Sequence, residues 1–394
     1  MEAYIVDWLN LAVRWLHFTA GIAWIGASLY FVMLDNSLRK PVKASDVARG
    51  VHGELWAVHG GGFYCSQKFL AGPLGEPLSE HLHWSKWEAY TTWLSGIGLL
   101  AIIYWAGADG YLIDRSVREM SAPVAIAISA GSLVGGWLVY DALCRTIASD
   151  RVLALLVYAL LVAAAWGYSQ VFGARAAYIH VGALIGTMMV WNVFFHIIPG
   201  QKRMVAALRA GQPVDPRPGI VGKRRSVHNT YFTLPILFIM ISNHFPMTYG
   251  ASHAWAVLAA IMLAGALIRQ FFVLRHAGRT VFALPAAGVV LMLVVVIALA
   301  PRPAPTQSAD VSFSQVEPIV AERCSVCHAP KPRFAGFTQP PAGVLLDTPE
   351  HIRAAAARIQ QQAVATQTMP LGNLTGMTPQ ERALLGRWLA AGAP

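Results

Sequence analysis

The feature that most constrains this chain is a series of long apolar runs that fills residues 1–300 and then stops. A bilayer core about 30 Å thick takes roughly 20 apolar residues of helix to cross. Eight runs approach that length, at 8–34, 87–106, 123–145, 152–172, 176–198, 231–245, 253–273 and 280–300. No water is available in lipid to satisfy backbone groups, so such segments are helical. The pattern predicts an all-α chain with an eight-helix integral membrane bundle set in a lipid bilayer. Composition agrees, with 56% hydrophobic and only 13% charged residues, where a soluble domain carries about 25% charged. The first run does not read as a cleaved leader, because it is too long, contains Arg14 and His17, and is followed by no small-residue cleavage site.

Lys and Arg set the orientation. Arg39, Lys40, Lys43, Arg49, Lys68 and Lys86 follow the first run, and Arg145 and Arg151 flank the connection after the third. Lys202, Arg203, Arg209, Arg217, Lys223, Arg224 and Arg225 follow the fifth, and Arg275 and Arg279 the seventh. The opposite connections hold only Arg115, Arg118 and Arg175. The first set is expected in the cytoplasm. Both termini then lie outside, in the periplasm of a bacterium, and the chain is a multi-pass protein of the inner membrane. The stretch "KRRSVHN" (223–229) is read as part of this asymmetry and not as a nucleic-acid site. No P-loop and no G-x-G-x-x-G is present. "HGGG" (59–62) lacks the G-x-S-x-G that a hydrolase would add.

After Ala300 the character changes. "PRPAPTQSAD" (301–310) reads as a Pro-rich linker, and 311–394 as a soluble domain. Within it "RCSVCHAP" (323–330) contains C-x-x-C-H, the attachment signature of a c-type haem. Two thiols bond the porphyrin edge and the adjacent histidine reaches the iron. Those residues are Cys324, Cys327 and His328. Zinc would need a second pair of ligands, and the rest of the tail offers only His351. The closing segment resembles the end of small mono-haem cytochromes c, where the methionine of "MP" is the distal ligand. By that resemblance Met369 is the second axial ligand and Met377 is not. One covalent haem c and an electron-carrying role are expected. Cys65 and Cys144 are isolated and read as structural.

Ionisable residues inside a span are costly and mark function. Histidine dominates here: His17 in the first run, His180 and His196 in the fifth, His244 in the sixth and His228 at its entrance, accompanied by Arg14, Asp141, Asn192 and Asn243. His17, His180, His196 and His244 are candidate ligands of b-type haem. The geometry objects, because the 16 residues between His180 and His196 put the two side chains about 160° apart on a regular helix. One of them must leave the regular helix for the two to share a face. For each histidine alone, the competing role is an interhelical hydrogen bond.

Four runs, "VRWLHFTAGIAWIGASLYFV", "HGGGFYCSQKF", "WNVFFHIIPGQKR" and "RSVHNTYFTLPILFIMISNHFP", together with the tail motif, resemble the bacterial membrane-bound urate oxidases. The resemblance implies eight spans and a C-terminal cytochrome c domain. It implies a place in purine catabolism, with urate hydroxylated to 5-hydroxyisourate by water and no hydrogen peroxide formed. Electrons would pass to the tethered haem and on to a downstream cytochrome c or terminal oxidase. For a urate site facing the cytoplasm, His52, His59, His196 and His228 are the candidate catalytic residues, with Lys202, Arg203, Arg224 or Arg225 attracting the anion. Such a site is about 30 Å from a haem outside and needs an intermediate carrier. A site near the outer surface would use His17, His180 and His244 instead. The residues alone leave open a quinol-linked or partner-dependent electron-transfer subunit.

Overall fold

The computed structural model describes residues 2–300, 311–334 and 337–394. The stretch expected as a linker, 301–310, lies outside the described residues. The chain is mostly helical. The principal helices of residues 1–300 are α1 (Glu2–Ser37), α2 (Trp87–Leu99), α3 (Ala122–Thr146), α4 (Asp150–Ser169), α5 (Ala174–Trp191), α6 (Arg217–Ser242), α7 (Ala254–His276) and α8 (Ala283–Ala298). Those of the tail are α9 (Phe313–Arg323), α10 (Pro349–Ala354) and α11 (Pro379–Ala390).

Five helical segments are long and apolar enough to cross a membrane: Tyr4–Ser37, Ala122–Thr146, Asp150–Ser169, Ala174–Arg209 and Ala254–His276. The other three expected runs also fall on helices, with different limits. α2 has 13 residues before the chain widens into i→i+5 bonding over Leu100–Trp105. α8 has 16 residues. α6 starts at Arg217, well before the expected 231. Its first half was hidden from a hydropathy reading because it is polar. Pro218 sits in its first turn, where a missing N–H costs nothing, and Asp215 accepts from the Arg217 N–H at 3.0 Å. Arg225 is therefore not a loop cation but a buried helical residue.

The packing is inside-out relative to a water-soluble protein. On α4, Leu153, Val157, Leu161, Ala165 and Tyr168 form one buried stripe at helical spacing, while Val152, Leu155, Leu156 and Trp166 face outward. Polar side chains lie inside instead, among them Ser129, Asp141, His180, Thr187, Asn192, Arg225 and Asn229. That is the arrangement lipid selects. α5 is the central helix, and small residues let it be so. A Cβ at Gly136 would lie 2.6 Å from Leu184, and one at Gly182 would lie 2.6 Å from Ile239.

The all-α expectation is corrected at one place. Gly53–His59 (β1) and Gly62–Lys68 (β2) form an antiparallel hairpin, with His59 opposite Gly62 and Trp56 opposite Cys65. Gly60 and Gly61 make the two-residue turn with φ of 60° and 82°. A tight hairpin turn of this kind wants positive φ at both positions, which glycine supplies. The glycines of "HGGG" are thus turn residues.

In the tail, Val316 and Val320 of α9 pack with Leu385 and Trp388 of α11. Both helices begin with a capping box, Ser312 with Gln315 and Thr378 with Glu381. The segment after α10 seats on the bundle. Leu371 and Leu374 lie against Gly110, and a Cβ at Gly250 would lie 2.5 Å from Thr366. Both contact points belong to the connections opposite those rich in Lys and Arg.

Candidate active site

Three helix segments converge near the end of the bundle that carries the basic connections. Each contributes polar residues at i, i+3 or i+4 spacing, which puts them on one face. From α3 come Tyr140, Asp141, Cys144 and Arg145. Asn192 and His196 follow α5, and α6 supplies Arg225, His228 and Asn229. The Asn192–Ile197 segment has i→i+5 bonds. Such a segment accommodates one extra residue and is frequent at functional sites. It also answers the phase objection. One extra residue removes about 100° from the 160° between His180 and His196, leaving about 60°. Both histidines can therefore face α3, and both do.

Asp141 is the hub. Its Oδ1 receives Arg225 Nη2 at 2.5 Å and His196 Nε2 at 2.7 Å, and its Oδ2 receives Arg145 Nε at 2.7 Å. Arg225 is 3% exposed and Asp141 6%, so this is an ion pair out of water, which requires its remaining donors and acceptors to be met. They are. Arg225 Nη1 donates to Asn192 Oδ1 at 3.2 Å, and Asn192 Nδ2 donates to Tyr140 Oη at 2.9 Å and Asn229 Oδ1 at 3.0 Å. Asn229 Nδ2 closes onto the Met189 carbonyl at 3.0 Å. Tyr140 Oη, already an acceptor, donates to His228 Nδ1 at 2.8 Å.

These partners assign the two imidazoles. A carboxylate only accepts, so His196 is protonated on Nε2 and keeps Nδ1 as a base. With the Tyr140 hydroxyl as donor, His228 accepts on Nδ1 and keeps Nε2–H as a donor. Two guanidiniums against one carboxylate leave a surplus positive charge. The site thus combines an oriented base, a neutral donor and a cationic bias.

Of the four candidate catalytic histidines, the structure brings together His196 and His228 only. His52 and His59 are exposed, at the start and the tip of the hairpin, and neither joins the network. Lys202 and Arg203 are exposed on the helix Ile198–Arg209. Arg224 binds Asp150 and the carbonyls of Cys144 and Ile147, capping α3 and pairing with the start of α4. Of the candidate b-haem ligands, His180 is fully buried with both ring nitrogens engaged, by Ser129 Oγ and the Ala176 carbonyl, each at 2.7 Å. His17 Nδ1 lies 2.9 Å from the Thr92 carbonyl, and His244 is exposed just past α6. Sequence reasoning had singled out Asp141 and Asn192 but missed Tyr140 and Asn229. The available signal for Asn229 was its i+4 spacing from Arg225.

This site falls within the part of the chain that resembles a known family. Residues 3–300 match the urate oxidase N-terminal family. The chain belongs to that family. No curated protein and no solved structure matches it. The whole Asp141 network lies inside the family's segment, and the tail lies beyond it.

The tail presents a second constellation. Cys324 and Cys327 are free thiols following α9. Burial pushes the Cys324 thiol up to about 12, so it is neutral at physiological pH. His328 Nδ1 lies 3.1 Å from the Val344 carbonyl, a contact that fixes the ring and leaves Nε2 for a metal. Met369, like Cys324, is partly buried against the tail core, and Arg382 donates to its carbonyl at 2.6 Å. Met377 is buried in that core. His351 is held by Asp347 at 2.8 Å. Among the described residues no cluster of three or more His, Cys, Asp or Glu is placed to hold a metal ion. The residues present fit a c-type haem: two thiols, one oriented imidazole and one thioether.

Two cavities do not reach Asp141. One of about 330 Å³ is lined by Phe172, Tyr178, Tyr249, His253 and Trp255, beside the Gly250 seat of the tail. The other, about 300 Å³, lies between Phe69, Trp84 and Leu208.

Proposed function

We propose that this protein oxidises urate to 5-hydroxyisourate at the Asp141–His196–Arg225 network and delivers the electrons to a c-type haem on its tail. The observation that carries the reading is an oriented, base-competent His196 beside a buried Arg225, inside the segment that belongs to the urate oxidase N-terminal family. The reaction balances as urate plus water giving 5-hydroxyisourate, two protons and two electrons. Arg225 and the surplus charge attract the urate monoanion. His196 Nδ1 takes the proton of the attacking water, and Asp141 stabilises the imidazolium that results. His228 Nε2–H donates to an oxygen of the purine as charge builds there. Cys324 and Cys327 would hold the haem covalently, with His328 and Met369 on the iron. The haem supplies one-electron acceptance and onward transfer.

The same proposal places the chain in a bacterial inner membrane with eight spans, a periplasmic cytochrome domain at 311–394, and a downstream cytochrome c or terminal oxidase as acceptor. A b-type haem held by His17 or His244 would be its intermediate carrier, since His196 has one nitrogen on Asp141 and the other serving as base. A pigment count that finds one haem c and no haem b removes that carrier. The deciding experiment is anaerobic addition of urate to the purified full chain. Reduction of the c-type haem is expected, and a spectrum that stays oxidised refutes the reading. Reduction by ubiquinol but not urate replaces it with a quinol-linked subunit.

A second reading has one observation in its favour. The cavity beside Gly250 adjoins the seat of the tail, and a substrate there would need no carrier across the bundle. Full activity in His196→Ala combined with loss in Tyr249→Ala would favour it.

A further inference from the structure

Arg269 on α7 is the one buried cation of the bundle whose charge is left unmet among the described residues. It is 5% exposed, and its Nε and Nη2 have no hydrogen-bond partner. No carboxylate lies within ion-pair distance of it among the described residues, whereas Arg225 is bound to Asp141 at 2.5 Å. The hydroxyl of Tyr231, the nearest titratable neighbour on α6, is used on Gln270. His276, two turns further along α7, is partly buried with an unpartnered Nδ1. One turn before Arg269, Gly265 packs on Leu234 and Pro235 of α6, so Arg269 faces α6 near Tyr231. On α6, Tyr231 lies about 160° from Asn229 and about 120° from Arg225, but only about 60° from His228, so Arg269 borders the His228 side of the Asp141 network and shares no hydrogen bond with it among the described residues.

An uncompensated guanidinium in an apolar span is strongly disfavoured. Nε and Nη2 form the side edge of the guanidinium, two parallel donors that match two adjacent acceptor atoms of one anion. We infer that Arg269 is an anion-binding site, separate from the Asp141 network, for a small anion presenting two neighbouring acceptors along one edge. Urate from solution and the phosphate of a phospholipid both have that chemistry. The inference stands on Arg269 alone and does not need urate to be the substrate.

The test uses the full chain purified in a phosphate-free maltoside detergent, compared with Arg269→Gln. Retained phospholipid is counted by native mass spectrometry, and urate affinity is measured by calorimetry after lipid removal. A lipid site predicts about one phospholipid held by the parent chain and lost in the variant. A urate site predicts no held lipid and at least about tenfold weaker urate binding in the variant, one hydrogen-bonded fork being worth a decade or more. Arg269→Lys keeps the charge and breaks the fork, so an intermediate loss is expected; it also serves if Arg269→Gln does not fold. Unchanged urate affinity together with unchanged lipid content overturns the inference. Both readouts are binding, so that failure would leave haem reduction by urate, the test of the proposed function, untouched.

Discussion

α5 and its continuation carry a histidine toward each end, and the two have opposite surroundings. His180, toward the end where the tail is seated, is enclosed by Tyr104, Tyr168 and Phe172 and bonded to a hydroxyl and a backbone carbonyl. His196, toward the basic end, is bonded to a carboxylate that also binds two arginines. Both contacts are made to α3. The difference lies in what α3 offers, Ser129 in one case and Asp141 in the other. An imidazole with both nitrogens engaged and no charge nearby is a structural strut. One with a free nitrogen and a carboxylate behind it is a base. Residue type alone does not separate them.

The largest effects should fall on one side of that comparison. His196→Ala and Asp141→Asn are expected to slow urate-driven haem reduction by about 10²–10⁴-fold, the range for loss of a general base. His180→Asn should leave it within about threefold. Stopped-flow spectra of the c-type haem measure all three. Equal losses at His180 and His196 would break the comparison.

Stability should separate the two ends next. Arg225→Leu leaves the Asp141 carboxylate buried with only His196 and the largely exposed Arg145, and removing one partner of a buried pair costs about 3–5 kcal/mol. Thermal unfolding in detergent should show it. Arg225→Leu combined with Asp141→Leu should recover part of the loss, and no recovery would mean the pair is not coupled. His180→Phe is milder. It frees Ser129, which still receives Trp105 Nε1 at 2.9 Å, while the Ala176 carbonyl keeps its helical backbone N–H, so a loss of about 0.5–1.5 kcal/mol is expected.

Much of this frame was legible in the sequence. The apolar runs located the long helices, and the intramembrane His and Asp positions contained His196 and Asp141. What escaped had physical causes. The first half of α6 is polar on both sides, with Arg217 and Lys223 exposed and Arg225 and Asn229 buried, so it looked like a loop and Arg225 looked like a topology signal. The hairpin is two short strands around Gly60–Gly61, and in a chain dominated by 20-residue periods its alternation was easy to pass over. The i→i+5 segment at Asn192–Ile197 leaves no simple sequence mark, yet it sets which face His196 takes. Arg269 sits in the seventh apolar run, where a single cation does not lower the mean hydropathy enough to stand out.

The smallest expected effect extends the contrast from a buried ion pair to one in reach of water. Arg323 and Glu381 join α9 to α11 at 2.9 Å, with side chains 25% and 21% exposed. Burial works against ionisation of Glu381, but hydrogen bonds from Thr378 and Arg323 outweigh it and hold the carboxyl below its ordinary value. A carboxylate depressed in the folded state stabilises at pH values above its unfolded range, near 4.3, and that contribution is lost as pH falls through the lower folded value. Glutamine still serves a capping box, so Glu381→Gln removes the charge and keeps the cap. At neutral pH the variant should lose about 0–1 kcal/mol, the range for partly exposed pairs. The deficit should vanish as acid protonates Glu381 in the parent chain. Melting curves of the full chain, followed by tail tryptophan Trp388 fluorescence across pH 3–7, measure both. A deficit that persists in acid would assign the loss to the cap and not to the ion pair.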